Sequence, residues 1–174
     1  MREYSKDEKE YRAYVQSLKN SVLTAFYTPE PVVTAMQESL QVPGIRPGRF
    51  LDPSAGTGMF ISGLKGVPEV HCFEKDKLTG KILSALYPES RVAIDGFQSI
   101  QPYYNNYFDM VSSNIPFGNT RVYDRDFDRS EDVVRKSSLA AVHNYFFLKG
   151  MDTLHEGGIL AYITTSGVMD SPQN

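Results

Sequence analysis

The sequence lacks the features that mark secreted and membrane proteins. Its single cysteine, Cys72, excludes a disulfide within the chain. No run approaches the roughly 18 apolar residues that a membrane helix needs, and the charged residues 1–10 lack the apolar segment of a signal peptide. With 174 residues, the chain is long enough to bury one hydrophobic core. We therefore expect a cytoplasmic protein that does not enter a membrane.

The sequence also lacks an excess of positive charge. It has 18 lysines and arginines against 21 aspartates and glutamates, which gives a net charge of −3. Nonspecific affinity for nucleic acid depends on phosphate contacts from lysine and arginine. We therefore expect any strong binding of nucleic acid to depend on regions outside this chain. The histidines are scattered along the sequence and do not indicate a metal site: His71, His143 and His155.

Two helices are predicted at the start of the chain, in residues 1–45. Ser5 and Glu8 have the spacing of a capping box, and apolar residues then recur at helical spacing, which predicts a helix over residues 6–22. Thr28 can cap a second helix that has Pro29 in its first position. The apolar residues expected to be buried by this second helix are Val32, Val33, Met36 and Leu40.

Predicted strands alternate with predicted helices from residue 46 onward. This alternation favours the α/β class, with a parallel sheet covered by helices on both faces. The charged stretch 121–135 is predicted to be a loop, and a flap that orders over bound substrate is the alternative. The predicted strands are 49–52, 70–74, 91–94, 108–112 and 159–164. Residues 56–64 are predicted to form a glycine turn that runs into a helix, residues 77–86 a further helix, and helical spacing returns between about 130 and 154.

The most informative motif is the decapeptide LDPSAGTGMF at residues 51–60. A strand ends in an acid, Asp52, and a tight turn of small residues then opens a helix. Gly56 and Gly58 have no Cβ, so the backbone can approach a ligand closely. The turn follows the carboxyl end of the first strand, where open α/β sheets bind ligands. A dinucleotide site would need a small residue where Ile61 stands, and an acid before the turn suits a cationic amino-acid ligand better than a pyrophosphate.

This decapeptide closely resembles the cofactor motif of N6-adenine DNA methyltransferases, especially the modification subunits of type I restriction systems. The resemblance implies a Rossmann-like methyltransferase fold with strand order 3-2-1-4-5 and S-adenosylmethionine as the cofactor. It implies that Asp52 and the glycine turn hold the methionyl part of the cofactor. The residues of this motif predicted to bind the cofactor are Asp52, Pro53, Ser54, Ala55, Gly56 and Gly58.

Acids at the ends of the next two predicted strands extend this site. Glu74 follows the glycine turn at about the interval expected of an acid that accepts hydrogen bonds from ribose hydroxyls. Asp95 ends the third strand. In the resembling family, the carboxylate at this position takes the amino group of the cofactor's adenine and an apolar side chain covers the ring, which implies these roles for Asp95 and Phe97.

A second motif, SNIPFG at residues 113–118, follows the fourth predicted strand and resembles the Asn-Pro-Pro-Tyr/Phe motif of amino-methyltransferases. The resemblance implies that the Asn114 side chain and the Ile115 carbonyl accept the hydrogens of the target amine, and that Phe117 stacks on the target base. The catalytic segment is therefore Asn114, Ile115, Pro116 and Phe117. The family usually has proline where Ile115 stands, so the backbone of Asn114 is less restricted here. Large methylase–helicase proteins of phages and mobile elements carry similar loops.

A third motif, AFYTPEPVV at residues 25–33, resembles the Phe-Tyr-Thr-Pro motif of the same methyltransferases. The resemblance implies that Tyr27, Thr28 and Pro29 lie at the methionyl end of the cofactor. Its position ahead of the glycine motif matches the gamma order of adenine methyltransferases, and it disfavours enzymes that methylate glutamine.

Together these motifs predict the transfer of a methyl group from S-adenosylmethionine to N6 of adenine in DNA. Two alternatives stay open: a methyltransferase that acts on RNA adenine or protein glutamine, and a non-catalytic cofactor-binding module of a larger methylase–helicase protein. The resembling family continues with two more strands and a target-recognition domain, so residues 46–174 are interpreted as a truncated core. We therefore expect the chain to be inactive alone, to meet DNA mostly through other regions and to depend on specificity or helicase domains.

Overall fold

The computed structural model describes residues 5–24, 28–41, 46–64, 66–67 and 69–166. For residues 17–24 and 40–41 it describes the backbone alone. Its centre is a parallel sheet in the order β3-β2-β1-β4-β5, which confirms the predicted fold class and strand order. The strands are β1 (Arg49–Asp52), β2 (Glu69–Phe73), β3 (Arg91–Ala93), β4 (Phe108–Asn114) and β5 (Leu154–Ile163).

Most helices lie close to the predicted positions, and the exception falls in the stretch 121–135. The helix that follows the glycine turn has four residues and lies within the predicted range 56–64. No helix in the described part of the chain is long and apolar enough to cross a membrane. The helices are α1 (Glu8–Thr24), α2 (Glu30–Gln41), α3 (Met59–Ser62), α4 (Lys77–Leu86), α5 (Arg125–Arg129), α6 (Val133–Ser138) and α7 (Val142–Thr153).

Helices cover both faces of the sheet, because successive strand residues point to opposite sides. In β1, Leu51 packs into a core shared with α5, α6 and α7, whereas Phe50 packs against α2 and α3 on the other face. On that second face, Cys72 of β2 is buried with Leu83 of α4. The sheet therefore lies between two helical layers, and the motifs lie at its carboxyl edge.

The N-terminal helices pack on the second face of the sheet. Val33 of α2 is buried against Phe50 and Phe60, and Lys81 of α4 lies 4.5 Å from the ring centroid of Tyr14 of α1. The prediction that Val32 is buried is wrong, because 45% of this residue is exposed. Met36 is partly buried as expected, and the side chain of Leu40 lies outside the described residues.

The prediction of a loop at residues 121–135 is also wrong. This stretch contains α5 and the start of α6, and it is anchored by the buried side chain of Asp124. Asp124 accepts hydrogen bonds from the backbone N–H groups of Asp126 and Phe127 and from the hydroxyl of Tyr145. Its carboxylate also lies 3.0 Å from the ammonium of Lys149. A charged stretch is therefore ordered by one buried acid that caps a helix.

Candidate cofactor and catalytic site

The glycine turn joins β1 to α3 at the carboxyl edge of the sheet. Ala55 N–H donates to the carbonyl of Phe73 at 2.9 Å, which ties the turn to β2. Gly56 and Gly58 both have positive φ angles, 56° and 90°. A Cβ at Gly58 would collide with the Tyr87 ring, whereas a Cβ at Gly56 would meet nothing within 4 Å. Gly58 is therefore required by packing, and Gly56 presents bare backbone to open space.

Asp52 brings an unsatisfied acceptor to this turn. Its side chain is fully buried. The Oδ1 atom accepts the Ser54 N–H at 3.1 Å, but Oδ2 has no hydrogen-bond partner among the described residues. Burial raises the pKa of Asp52 to about 7. Buried acceptors in folded proteins are normally paired, so Oδ2 is suited to accept a hydrogen bond from a ligand group, and a cation would favour the charged carboxylate.

Glu74 lies beside the same turn, directly after β2. Its Oε2 accepts the Gly56 N–H at 2.9 Å and its Oε1 accepts the Asp76 N–H at 2.7 Å. Burial raises the pKa of Glu74, although these backbone hydrogen bonds favour its charged form. Asp76 in turn caps α4 by accepting the Thr79 N–H. The acids that end β1 and β2 therefore meet at one turn, while the ribose-binding role of Glu74 stays a prediction.

The end of β3 only partly matches its predicted role. Asp95 is exposed, and its Oδ1 accepts the N–H of Gly96 at 2.7 Å. Phe97 is only 1% exposed and packs in the core against Phe73 and Phe146. It therefore offers almost no surface to an adenine ring in this structure, and its role in cofactor binding stays a prediction. Ile94, which the motifs did not single out, is 38% exposed at the same strand end.

The catalytic segment leaves the sheet at the end of β4. Asn114 is the last residue of that strand and pairs with Ile163 of β5. The Ile115 N–H donates to the Ile163 carbonyl at 3.1 Å, and the Ile115 side chain is buried in the core. Pro116 is exposed, and 43% of Phe117 is exposed. The isoleucine that replaces the family's proline thus anchors the segment, and the aromatic ring remains accessible to a base.

Thr28 of the third motif, residues 25–33, contacts the catalytic segment. The Asn114 Nδ2 group donates to the Thr28 hydroxyl at 3.0 Å. Pro29 is exposed, and its carbonyl accepts the N–H of Val32 at 3.0 Å in the first turn of α2. Tyr27 lies outside the described residues. Thr28 and Asn114 are therefore brought together, although 86 positions separate them in the sequence.

Two contacts around this site were not predicted. Ser113 is fully buried, and its hydroxyl donates to the Ser54 carbonyl at 3.3 Å, which joins β4 to the glycine turn. Its place directly before Asn114, the predicted catalytic asparagine, was the available signal. The Gly118 N–H donates to Nδ1 of His143 at 3.4 Å, and nothing in the sequence indicated that pair. Among the described residues, no group of histidine, cysteine and acidic side chains could hold a metal ion.

Solved structures with the same fold come from methyltransferases. A protein of Vibrio vulnificus YJ016, assigned as a modification subunit of a type I restriction enzyme, aligns with a TM-score of 0.66 at 18% identity, over 94% of this chain and 40% of that one. A protein of Listeria monocytogenes, assigned as a class I S-adenosylmethionine-dependent methyltransferase, aligns with a TM-score of 0.63 at 19% identity, over 97% and 56% of the two chains. The chain therefore has the Rossmann-like fold of S-adenosylmethionine-dependent methyltransferases.

Sequence relatives connect the chain to restriction and modification. It is 29% identical over 153 residues to the defense against restriction protein B of Escherichia phage P1, across 84% of this chain and 6% of the relative. It is 27% identical over 161 residues to the type II methyltransferase M.XamI of Xanthomonas campestris pv. amaranthicola, across 84% of this chain and 30% of the relative. No family model matches the chain. The predicted resemblance is confirmed, and the chain spans less than a third of either relative.

Proposed function

We propose that this chain is the cofactor-binding and catalytic part of a DNA methyltransferase that transfers a methyl group from S-adenosylmethionine to N6 of adenine. The observation that carries the proposal is the convergence of three motifs at the carboxyl edge of the sheet. The hydrogen bond from Ser113 to Ser54 joins the catalytic strand to the glycine turn. The hydrogen bond from Asn114 to Thr28 joins it to the N-terminal motif. The resemblance to restriction–modification proteins supports DNA as the substrate.

The residues around the glycine turn fit the proposed cofactor. The unpartnered Oδ2 of Asp52 suits the cationic amino group of the methionyl part, and the open space at Gly56 lets the ligand approach the backbone. The Glu74 carboxylate, held by two backbone N–H groups, keeps lone pairs for ribose hydroxyls. When bound, the cofactor supplies a methyl group on positively charged sulfur.

The catalytic segment would activate and hold the target amine. The adenine amino nitrogen is a poor nucleophile because its lone pair is delocalised into the ring. Asn114 Oδ1 and the Ile115 carbonyl would accept its two hydrogens and so favour a tetrahedral nitrogen. The exposed ring of Phe117 would stack on the extruded base, and such stacking contributes about 1–3 kcal/mol. This is comparable with the few kcal/mol needed to take a base out of the duplex.

A substitution at Asn114 tests the proposed chemistry. We expect Asn114→Ala, in the protein that contains this chain, to reduce methyl transfer to DNA to a low residual rate while cofactor affinity changes less than about twofold, because Asn114 addresses the target rather than the cofactor. The measurements are transfer of a labelled methyl group to duplex DNA, and calorimetry with S-adenosylmethionine.

The product of the same assay separates the alternatives. Digestion of labelled DNA to nucleosides should place the label on N6-methyl-2′-deoxyadenosine, and parallel reactions contain RNA or protein in place of DNA. Label on RNA or on glutamine alone would overturn the choice of substrate. Cofactor binding without transfer to any of the three would favour a non-catalytic module.

A further inference from the structure

The catalytic asparagine is held by a residue from the other end of the chain. Asn114 Nδ2 donates to the Thr28 hydroxyl at 3.0 Å. Thr28 lies two residues before α2, and α2 is fixed on the body of the protein at two points. Val33 is buried against Phe50 and Phe60, and the Gln37 side-chain amide donates to the Phe60 carbonyl at 3.0 Å. The hydroxyl that meets Asn114 therefore lies just before a helix that is anchored to the sheet and to α3.

A side-chain amide has a donor end and an acceptor end, and only the acceptor end can serve the proposed reaction. The amide oxygen can accept a hydrogen bond from the target amine. The amide NH2 group cannot, because it is itself a donor. The two orientations of Asn114 differ by a rotation that exchanges these ends. A hydroxyl can donate or accept, and in this structure the Thr28 hydroxyl accepts from Nδ2 of Asn114. This arrangement leaves the Asn114 oxygen for the substrate.

We propose that Thr28 is a positioning residue, which orients the Asn114 amide so that its oxygen faces the target amine. This inference rests on the proposed function. It gives Thr28 a second role, besides the contact with the cofactor that the sequence resemblance implies. The bond to Asn114 involves the side chain of Thr28, so a substitution that removes the hydroxyl alone tests it.

Thr28→Val is the discriminating variant, because valine keeps the shape of threonine and removes the hydroxyl. We expect a loss of roughly 5- to 10-fold in kcat, the effect of one hydrogen bond that acts through the catalytic group. The dissociation constant for S-adenosylmethionine should stay within about twofold. Thr28→Ser should restore at least half of the activity. Thr34→Val, at an exposed position of α2, is the matched control. It should leave both kcat and the dissociation constant for S-adenosylmethionine unchanged.

A double-mutant cycle separates orientation of Asn114 from general support of the fold. If Thr28 acts through Asn114, Thr28→Val should have no further effect on the residual rate of Asn114→Ala, measured in single-turnover reactions. Equal losses in both backgrounds would show a role independent of Asn114 and overturn the proposal. A weakened cofactor affinity with an unchanged kcat would overturn it as well.

Three further outcomes are decisive. A higher kcat in Thr28→Val would mean that the hydroxyl donates to the Asn114 oxygen and holds it away from the substrate, the reverse of what we propose. Full activity in Asn114→Ala would refute the proposed function itself. Loss of activity in Asn114→Ala together with normal kcat in Thr28→Val would refute only the role of Thr28.

Discussion

At the scale of single residues, Asp52 shows how a site can be built at the expense of stability. A carboxyl group that is fully buried, with one oxygen unpartnered, is held in its neutral form more than an exposed one. Burial raises its pKa to about 7 from an ordinary 3.8. The folded protein therefore keeps a proton that the unfolded chain releases as the pH rises between these values. Asp52 thus lowers the free energy of unfolding as the pH increases through this range.

We expect Asp52→Asn to make the cofactor-free protein more stable than the unsubstituted protein at pH 8, and by a clearly smaller margin at pH 5, because pH 5 lies between the unfolded and folded pKa values of Asp52. The shift in pKa sets an upper limit of about 4 kcal/mol on this difference. Thermal unfolding of both proteins at several pH values measures it. A difference in melting temperature that is the same at pH 5 and pH 8 would contradict the assignment of a raised pKa.

The same residue should make cofactor affinity depend on pH. A cationic ligand group beside Asp52 favours the charged carboxylate, so affinity should rise by about tenfold between pH 6 and pH 8. In Asp52→Asn the affinity should be lower at pH 8 and nearly independent of pH. Calorimetry across this range provides the test, and proton release on binding near pH 7 is an additional signature.

At the scale of elements, α5 depends on a single buried acid, Asp124. Burial alone would raise the pKa of Asp124, but the hydroxyl of Tyr145, the Phe127 N–H and Lys149 outweigh it and hold the pKa below its usual value. The stability that this network adds is present at neutral pH and is lost as the pH falls through the lowered pKa. The segment between the catalytic motif and α7 is therefore ordered by a charge that is paired inside the protein.

We expect Asp124→Ala to destabilise the protein by about 3 kcal/mol, because it leaves the buried ammonium of Lys149 without its partner. Thermal or urea unfolding at pH 7 measures the loss. Asp128→Ala is the matched control, since Asp128 lies exposed in the same α5 helix and its removal should cost less than about 0.5 kcal/mol. Equal effects of the two substitutions would show that Asp124 is not the anchor.

These elements also show what sequence patterns reveal and what they hide. The strand order and the positions of α4 and the glycine turn were predictable, because apolar periodicity and the motifs report local structure and fold class. The network around Asp124 was not, because its partners Tyr145 and Lys149 come from a helix further along the chain. A run rich in charged side chains is usually solvated, and no local pattern distinguishes the one acid that is buried. The 310 turn at Phe97–Ser99 likewise places Phe97 in the core, which spacing alone did not indicate.

At the scale of the whole molecule, the charge of the chain bears on how DNA is held. A net charge of −3 provides little attraction for phosphates, while the curated relatives are several times longer than the aligned region. We propose that most contacts to DNA come from other regions of the complete protein.

We expect the 174-residue chain alone to bind duplex DNA no more tightly than nonspecific complexes, with a dissociation constant of about 10 micromolar or weaker at physiological salt. It should methylate DNA without useful sequence preference. Fluorescence anisotropy at several salt concentrations and a methyl-transfer assay on mixed-sequence DNA provide the measurements. Tight binding and sequence-specific transfer by this chain would show that recognition lies within it.

The strand order β3-β2-β1-β4-β5 has an evolutionary consequence. The strands β2 and β3 lie on one side of β1, and β4 and β5 lie on its other side. The predicted cofactor residues therefore lie at the ends of β1, β2 and β3, while the segment predicted to face the target follows β4. On the proposed function, this division would allow the residues that meet the acceptor to change while those that hold the cofactor stay constant. Two hydrogen bonds at the predicted site join the segment around β4 to the rest of that site, from Ser113 to Ser54 and from Asn114 to Thr28. A lineage that changes its acceptor would have to keep these contacts, and the pairing of β1 with β4, compatible with the new residues.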